Sequence, residues 1–375
     1  MKKIILILII FMLMFPVKAE ENLATNAKSA LLLEASTGEI IFSKNINEKL
    51  EPASLTKMMS MLIILESIEK GIIKWDEIVV VSKNAASMGG SQILLEENEK
   101  MSVYDLFKGI AVASGNDAVV ALAEKIAGSE ANFVAMMNKK GKELGLTGTN
   151  FENCHGLTTK DHYTTANDLA LIALELVKHE KVFEFTSVYE DYLRENTSRK
   201  LWLVNTNKLV RFYDGVDGLK TGYTNTAGYC LVATAKKNNM RIIAIVLDEP
   251  TSEIRNKEVT EMLNYAFSQY ELEIAINENQ VLKTVKVEKG KNDKVDIIPQ
   301  KKVTYLKKKL DEKPNIKYNV KIDKLVAPIK KGDVIGNVRI QINNNYEIVK
   351  LTVRENVEKI TFIELLIQKL KLLFV

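Results

Sequence analysis

Val216-Asp217-Gly218-Leu219-Lys220-Thr221-Gly222-Tyr223 reads as a strand, and the residues after it decide the fold. Thr224-Asn225-Thr226 supplies turn residues, and Ala227 to Ala235 reads as a second strand. Lys236 to Asn239 form a polar break before a third apolar run, Arg241 to Leu247. Three such runs joined by short turns make an antiparallel meander. Ser29 to Ala35 and Glu39 to Ser43, across Thr37-Gly38, read as a hairpin able to join it. Helix-like runs fill the interval. The expected fold is α+β, one antiparallel sheet flanked by helices over residues 27–270.

The first strand also carries polar chemistry. An interior glycine weakens a strand but lets another backbone come close, so Gly222 suits an edge along which an extended peptide adds. Lys220 then offers positive charge and Thr221 a hydroxyl for a substrate carboxylate. Alone, this is an exposed strand with an incidental lysine.

Ser54-Leu55-Thr56-Lys57 stands two residues after Pro52 and opens the apolar run Met58 to Leu65. Proline suits the first turn of a helix, which places the start near Ala53 or Ser54. Residues three apart share a helix face, so the Lys57 amine falls beside the Ser54 hydroxyl. A lysine in a first turn opposes the helix dipole, and burial would disfavour its charge further. That is a poor place for a structural cation and a good one for a base. The ordinary alternative is an N-cap serine with a surface lysine one turn on.

Ser114-Gly115-Asn116-Asp117 precedes the helix-like run Ala118 to Ala123, where such residues are ordinary caps. Each of the three boxes is weak singly. Together, in this order and setting, they describe a serine acyl-transfer site with lysine as its base.

On these boxes the chain resembles the low-molecular-mass penicillin-binding proteins, specifically the serine-type D-alanyl-D-alanine carboxypeptidases. Met88-Gly89-Gly90-Ser91-Gln92, Gly145 to Phe151, His155-Gly156-Leu157 and Ala227-Gly228-Tyr229-Cys230-Leu231 are similar to that family as well. The resemblance implies that Ser54 is the acylated nucleophile, Lys57 its base, and Ser114 and Asn116 members of the proton network. It implies that Lys220 and Thr221 hold the terminal carboxylate, with Gly222 and Tyr223 completing that strand. Backbone N–H groups of Ser54 and Tyr223 would form the oxyanion hole. Arg255 matches an arginine that assists carboxylate recognition in relatives. The implied substrate is a peptidoglycan stem peptide ending in D-Ala-D-Ala, with β-lactams as covalent inhibitors.

A class A β-lactamase shares part of the pattern. Here the middle box reads Ser-Gly-Asn, and between Asn116 and Lys220 no glutamate is followed four residues later by asparagine. A catalytically idle wall-binding or penicillin-sensing protein is the other alternative, against which the intact Ser54–Lys57 pair argues. Three histidines, His155, His162 and His179, offer no evident triad, and Cys154 beside His155 reads as a buried structural cysteine. With no metal-ligand spacing and no phosphate loop, no cofactor is expected.

Met1-Lys2-Lys3, the apolar run Ile4 to Met14 and Val17-Lys18-Ala19 read as a signal peptide, residues 1–19, which places the protein outside the cytoplasm. From Ala275 onward there are 22 basic and 12 acidic residues, whereas residues 20–274 hold 27 and 36. This asymmetry turns the C-terminal part towards an anionic surface, and export argues against nucleic acid as that surface. Residues 275–355, with stretches such as Val281 to Val287, Lys317 to Ile322 and Tyr346 to Val353, suggest a small β-sandwich or barrel. Ile363, Leu366, Ile367, Leu370, Leu373 and Phe374 recur at helical spacing, so residues 356–375 read as an in-plane amphipathic membrane anchor. A terminal helix docked on its own domain is the alternative. Cys154 and Cys230 leave a single bridge open.

Overall fold

The computed structural model describes residues 22–343 and 345–373, so the expected signal peptide lies outside the described residues. Two compact units emerge. Of the described residues, the larger comprises 22–33, 40–236 and 242–265, and the smaller holds those from 266 to 373 together with 34–39 and 237–241.

The sheet of the first unit is the expected one. Its five strands run in the order Ile40–Lys44, Ser29–Glu34, Met240–Glu249, Gly228–Lys237, Val216–Thr224. The hairpin and the meander join through Ser29–Glu34 and Met240–Glu249, the first and last of these strands in chain order, with Lys28 N–H donating to Leu247 O and Ala35 N–H to Arg241 O. Val216–Thr224 is an outer strand, as an edge open to a peptide must be. Successive residues of a strand face opposite sides, and Cys230 to Ala235 and Ile242 to Leu247 are buried without a break. Both faces of the central strands are therefore covered.

Pro52 stops the preceding segment, and a 3₁₀ turn, Ala53–Thr56, leads directly into the helix Lys57–Glu69. That helix is apolar all round, and Met58, Met59, Met61, Leu62, Ile63, Ile64 and Leu65 are all buried. Such a helix belongs in the middle of a domain. Its polar end is at Glu66, which takes Lys70 at 2.9 Å and also pairs with Lys140.

Two glycines let the chain crowd the 3₁₀ turn. At Gly222 a Cβ would sit 2.9 Å from Pro52 O and 3.2 Å from Ala53 Cβ, so the strand also presses on the turn itself. Gly156, at φ +91°, lies against the other side, where a Cβ would fall 1.8 Å from Ala53 O.

The second unit contains a five-stranded sheet in the order Lys283–Lys286, Lys294–Pro299, Asn345–Val353, Gly336–Ile342, Ile316–Ile322. A two-stranded ribbon, Tyr270–Ile276 with Val303–Lys308, packs Ile276 and Val303 into the same core as Ile297, Val338, Ile340 and Leu351. The terminal helix is Phe362–Leu373 and starts later than residue 356. Val357 pairs with Ile329 and Lys359 with Gly290, which keeps that stretch extended against the β-unit. Thr361 then caps the helix, accepting from Glu364 N–H while its own N–H and hydroxyl donate to the Glu364 carboxylate. Among the described residues no helix is long and apolar enough to cross a membrane.

Gly156→Ala should cost about 3 kcal/mol or more, lowering the thermal midpoint by roughly 6–12 °C. Gly128 also has positive φ, +77°, but nothing lies within 4 Å of its would-be Cβ. Gly128→Ala should cost only about 1 kcal/mol, or roughly 2–4 °C. Equal shifts by calorimetry would contradict the close approach at Ala53.

Candidate active site

Ser54 sits in the 3₁₀ turn, and neither its side chain nor that of any neighbour caps the helix. Its hydroxyl instead accepts from Lys57 Nζ at 3.0 Å, the pairing that a three-residue spacing predicts. Lys57 is wholly buried, and its amine also donates to the His155 carbonyl at 2.7 Å. Burial pulls its pKa down to about 7, against a smaller opposite pull from the nearby Cys154 and Asp117. Desolvation thus outweighs local charge, and about half of the amine is neutral near pH 7.

Ser114 ends the helix Val103–Ala113 in the left-handed conformation, φ +64°, and Gly115 is the N-cap of Asn116–Ala127 without any side-chain cap. The capping explanation of this box therefore does not apply. Asp117 does the local structural work from one residue further on: its buried carboxylate accepts from Ile93 and Leu95 N–H at 3.0 Å. Asn116 Nδ2 donates to Gly89 O at 2.7 Å. Among the described residues, Ser114 Oγ and Asn116 Oδ1 are buried with no hydrogen-bond partner. Unmet polar groups of this kind are costly and point to an absent partner.

Ser54, Ser114, Thr221, Gly222, Tyr223 and Arg255 line one cleft of about 630 Å³. Thr221 Oγ1 donates to Thr206 Oγ1 at 2.7 Å, and Tyr223 is half exposed over Tyr229, ring centroids 4.3 Å apart. Arg255 is buried with its guanidinium on Asn256 Oδ1 at 2.9 Å. Lys220 lies deeper than the sequence suggested, fully buried with Nζ donating to Thr221 O at 3.1 Å. Burial first, then the positive charges of Lys57 and Arg255, hold its pKa well below the usual lysine range. An anion entering the cleft would favour its charged form.

Sequence reasoning missed the supports behind the turn: the His155 carbonyl, Gly156, and His162, whose Nε2 lies 2.8 Å from Thr56 Oγ1. Burial holds both His155 and His162 down to about 4, so neither ring is a general base of ordinary strength. Cys154 and Cys230 are both free and buried, which closes the question of a bridge.

Known proteins extend this geometry. Residues 16–251 match the family model for D-alanyl-D-alanine carboxypeptidase, and residues 270–359 that for the penicillin-binding protein 5 C-terminal domain. The D-alanyl-D-alanine carboxypeptidase DacF of Bacillus subtilis is 52% identical over 322 residues, covering 86% of this chain and 83% of its own.

The chain belongs to the D-alanyl-D-alanine carboxypeptidase family.

Penicillin-binding protein 5 from Haemophilus influenzae superposes with a TM-score of 0.72 at 30% identity, covering 89% of this chain and 98% of its own. Penicillin-binding protein D2 from Listeria monocytogenes, solved with ampicillin bound, gives a TM-score of 0.58 at 31% identity, covering 64% and 98%. The activity is that of a serine-type D-alanyl-D-alanine carboxypeptidase, a cell-wall hydrolase, on the α+β fold with an all-β C-terminal domain.

The thiols should be inert in the native protein. Burial pushes Cys230 up to about 12, and burial together with the Glu130 carboxylate pushes Cys154 well above the usual thiol range. Since the thiolate is the reactive form, iodoacetamide at pH 8 should label them roughly a hundredfold more slowly than in denaturant. Rapid native labelling of Cys154, followed by mass spectrometry, would contradict this.

Proposed function

We propose that Ser54 is the nucleophile and Lys57 its general base in removing the terminal D-alanine from peptidoglycan stem peptides. The observation that carries this reading is the buried Lys57 amine 3.0 Å from Ser54 Oγ. In its neutral form Lys57 takes the Ser54 proton as Oγ attacks the penultimate D-alanine carbonyl. The backbone N–H groups of Ser54 and Tyr223 stabilise the oxyanion. The leaving D-alanine nitrogen receives a proton through Lys57 and Ser114, the C–N bond breaks, and water then hydrolyses the Ser54 ester. Asn116 Oδ1, buried and unpartnered, suits an N–H of the substrate amide or of Lys57. Thr221 and Arg255, with the charge of Lys220 beneath, receive the terminal carboxylate, and Gly222 sets the strand close enough to Ser54 for both ends to be engaged.

β-Lactams present the same carbonyl-and-carboxylate pattern, so this chain is acylated by them at Ser54. The ampicillin-bound Listeria relative supports that reading. Residues 1–19 direct export, and the enzyme works outside the cytoplasm. The helix Phe362–Leu373 anchors it on the membrane surface, where Phe362, Ile363 and Leu366, 80%, 70% and 50% exposed, offer apolar side chains. The excess of lysine in the C-terminal part adds attraction to anionic headgroups.

Incubation with a D-Ala-D-Ala peptide should release D-alanine, and Ser54→Ala should lower that rate by a factor on the order of 10³ or more. In intact-mass measurements penicillin should add one equivalent to the native protein and none to Ser54→Ala. Full-rate release by Ser54→Ala would overturn the assignment. For the anchor, the chain without residues 361–375 should lose sedimentation with anionic vesicles while keeping its peptidase rate. Undiminished sedimentation would contradict the role of that helix.

A further inference from the structure

The nucleophile turn is strained. Ala53, the residue before Ser54, has φ +46°, a left-handed conformation that an alanine avoids. Something must hold it, and a directional hydrogen-bond chain ends on its carbonyl.

The chain starts at the segment between Asn150 and Thr164. Asn150 and Tyr163 exchange backbone hydrogen bonds at 2.9 and 3.2 Å, and Leu50 and Thr164 do so at 2.9 and 2.8 Å. The first pairing closes the segment on itself, and the second ties it to Leu50, just before Pro52. Within it, the backbone N–H of Glu152 donates to His162 Nδ1 at 3.1 Å. A backbone amide can only donate, so Nδ1 carries no proton and the ring's single hydrogen is on Nε2. Nε2 lies 2.8 Å from Thr56 Oγ1 and therefore donates to it. A carbonyl oxygen can only accept, so the Thr56 hydroxyl points its own hydrogen at Ala53 O, 2.8 Å away. All the donors and acceptors in this chain run one way, from Glu152 to Ala53. Each member is positioned by burial: His162 is 3% and Thr56 1% exposed.

We propose that His162 is a positioning residue for the acyl-transfer reaction: its Nε2–H tautomer fixes the Thr56 hydroxyl on the Ala53 carbonyl and so aims Ser54. His162 touches neither substrate nor Ser54, and its effect passes through the turn. The same segment supplies the His155 carbonyl to Lys57 and the bare Gly156 Cα to Ala53 O, so nucleophile and base are referenced to one piece of backbone. A shift of a fraction of an ångström in the turn changes the Ser54–Lys57 distance, to which proton transfer is steeply sensitive.

The inference rests on Ser54 being the nucleophile and is tested by rate constants measured on protein shown by circular dichroism and calorimetry to be folded. Thr56→Val keeps shape and removes the hydroxyl, while Thr56→Ser keeps the hydroxyl. Thr56→Val should lower kcat for D-alanine release, and the maximal rate of acylation by penicillin, by about 10- to 100-fold with KM within about threefold. Thr56→Ser should recover most of the rate. His162→Phe should match Thr56→Val. His162→Gln, which can accept at one end and donate at the other, should recover part of it. The Thr56→Val/His162→Phe double variant should be no slower than either single one, because one chain is cut once. Equal kcat for Thr56→Val and Thr56→Ser, or losses that multiply in the double variant, would overturn the proposal. Absence of D-alanine release and of acylation in the wild-type protein would instead sink the underlying assignment of Ser54.

Discussion

A lysine packed entirely inside a helical core is an expensive feature. Moving the Lys57 pKa from 10.5 to about 7 corresponds to a native-state cost on the order of 5 kcal/mol while the unfolded chain is charged. The native pKa is the lower one, so the cost is complete below pH 7 and shrinks as pH rises from there towards 10.5. The molecule offsets it with an apolar helix buried on every side, and the return is a base that is half neutral at physiological pH. Much of the first unit's architecture follows from burying that amine while leaving the hydroxyl next to it in an open cleft.

Two backbones close around the turn to make this work. On one side the Val216–Thr224 strand approaches through Gly222, and on the other the 150–164 segment approaches through Gly156. Any side chain at either position would push the serine away from its neighbours. The unsatisfied Ser114 Oγ and Asn116 Oδ1 complete the picture from the third side. Two buried polar atoms without partners and a left-handed Ala53 beside the nucleophile are costs that packing alone would not select at this site.

The hairpin, the meander, the helical start after Pro52 and the Ser54–Lys57 contact were legible in the sequence because each follows from local periodicity. Turn residues divide the meander, proline marks the helix, and a three-residue spacing joins hydroxyl to amine. The depth of Lys220 was not legible, since an alternating strand does not say how thick the cover over each face will be. Nor was the approach of Gly222 to Pro52 and Ala53, which only the folded turn reveals. The His155 carbonyl and the His162 tautomer depend on contacts across about a hundred residues of sequence, for which pattern offers no signal. The terminal helix was legible in period but not in its start, because pairing of Val357 with Ile329 belongs to tertiary structure.

The central claim is that Lys57 is a neutral-capable amine because the protein removes it from water. Titration of the Lys57 side chain by ¹³C NMR at its Cε, assigned by the signal lost in Lys57→Arg, reads this directly. A midpoint close to 7 is the predicted result. A midpoint near 10, as for a solvated lysine, would contradict the account.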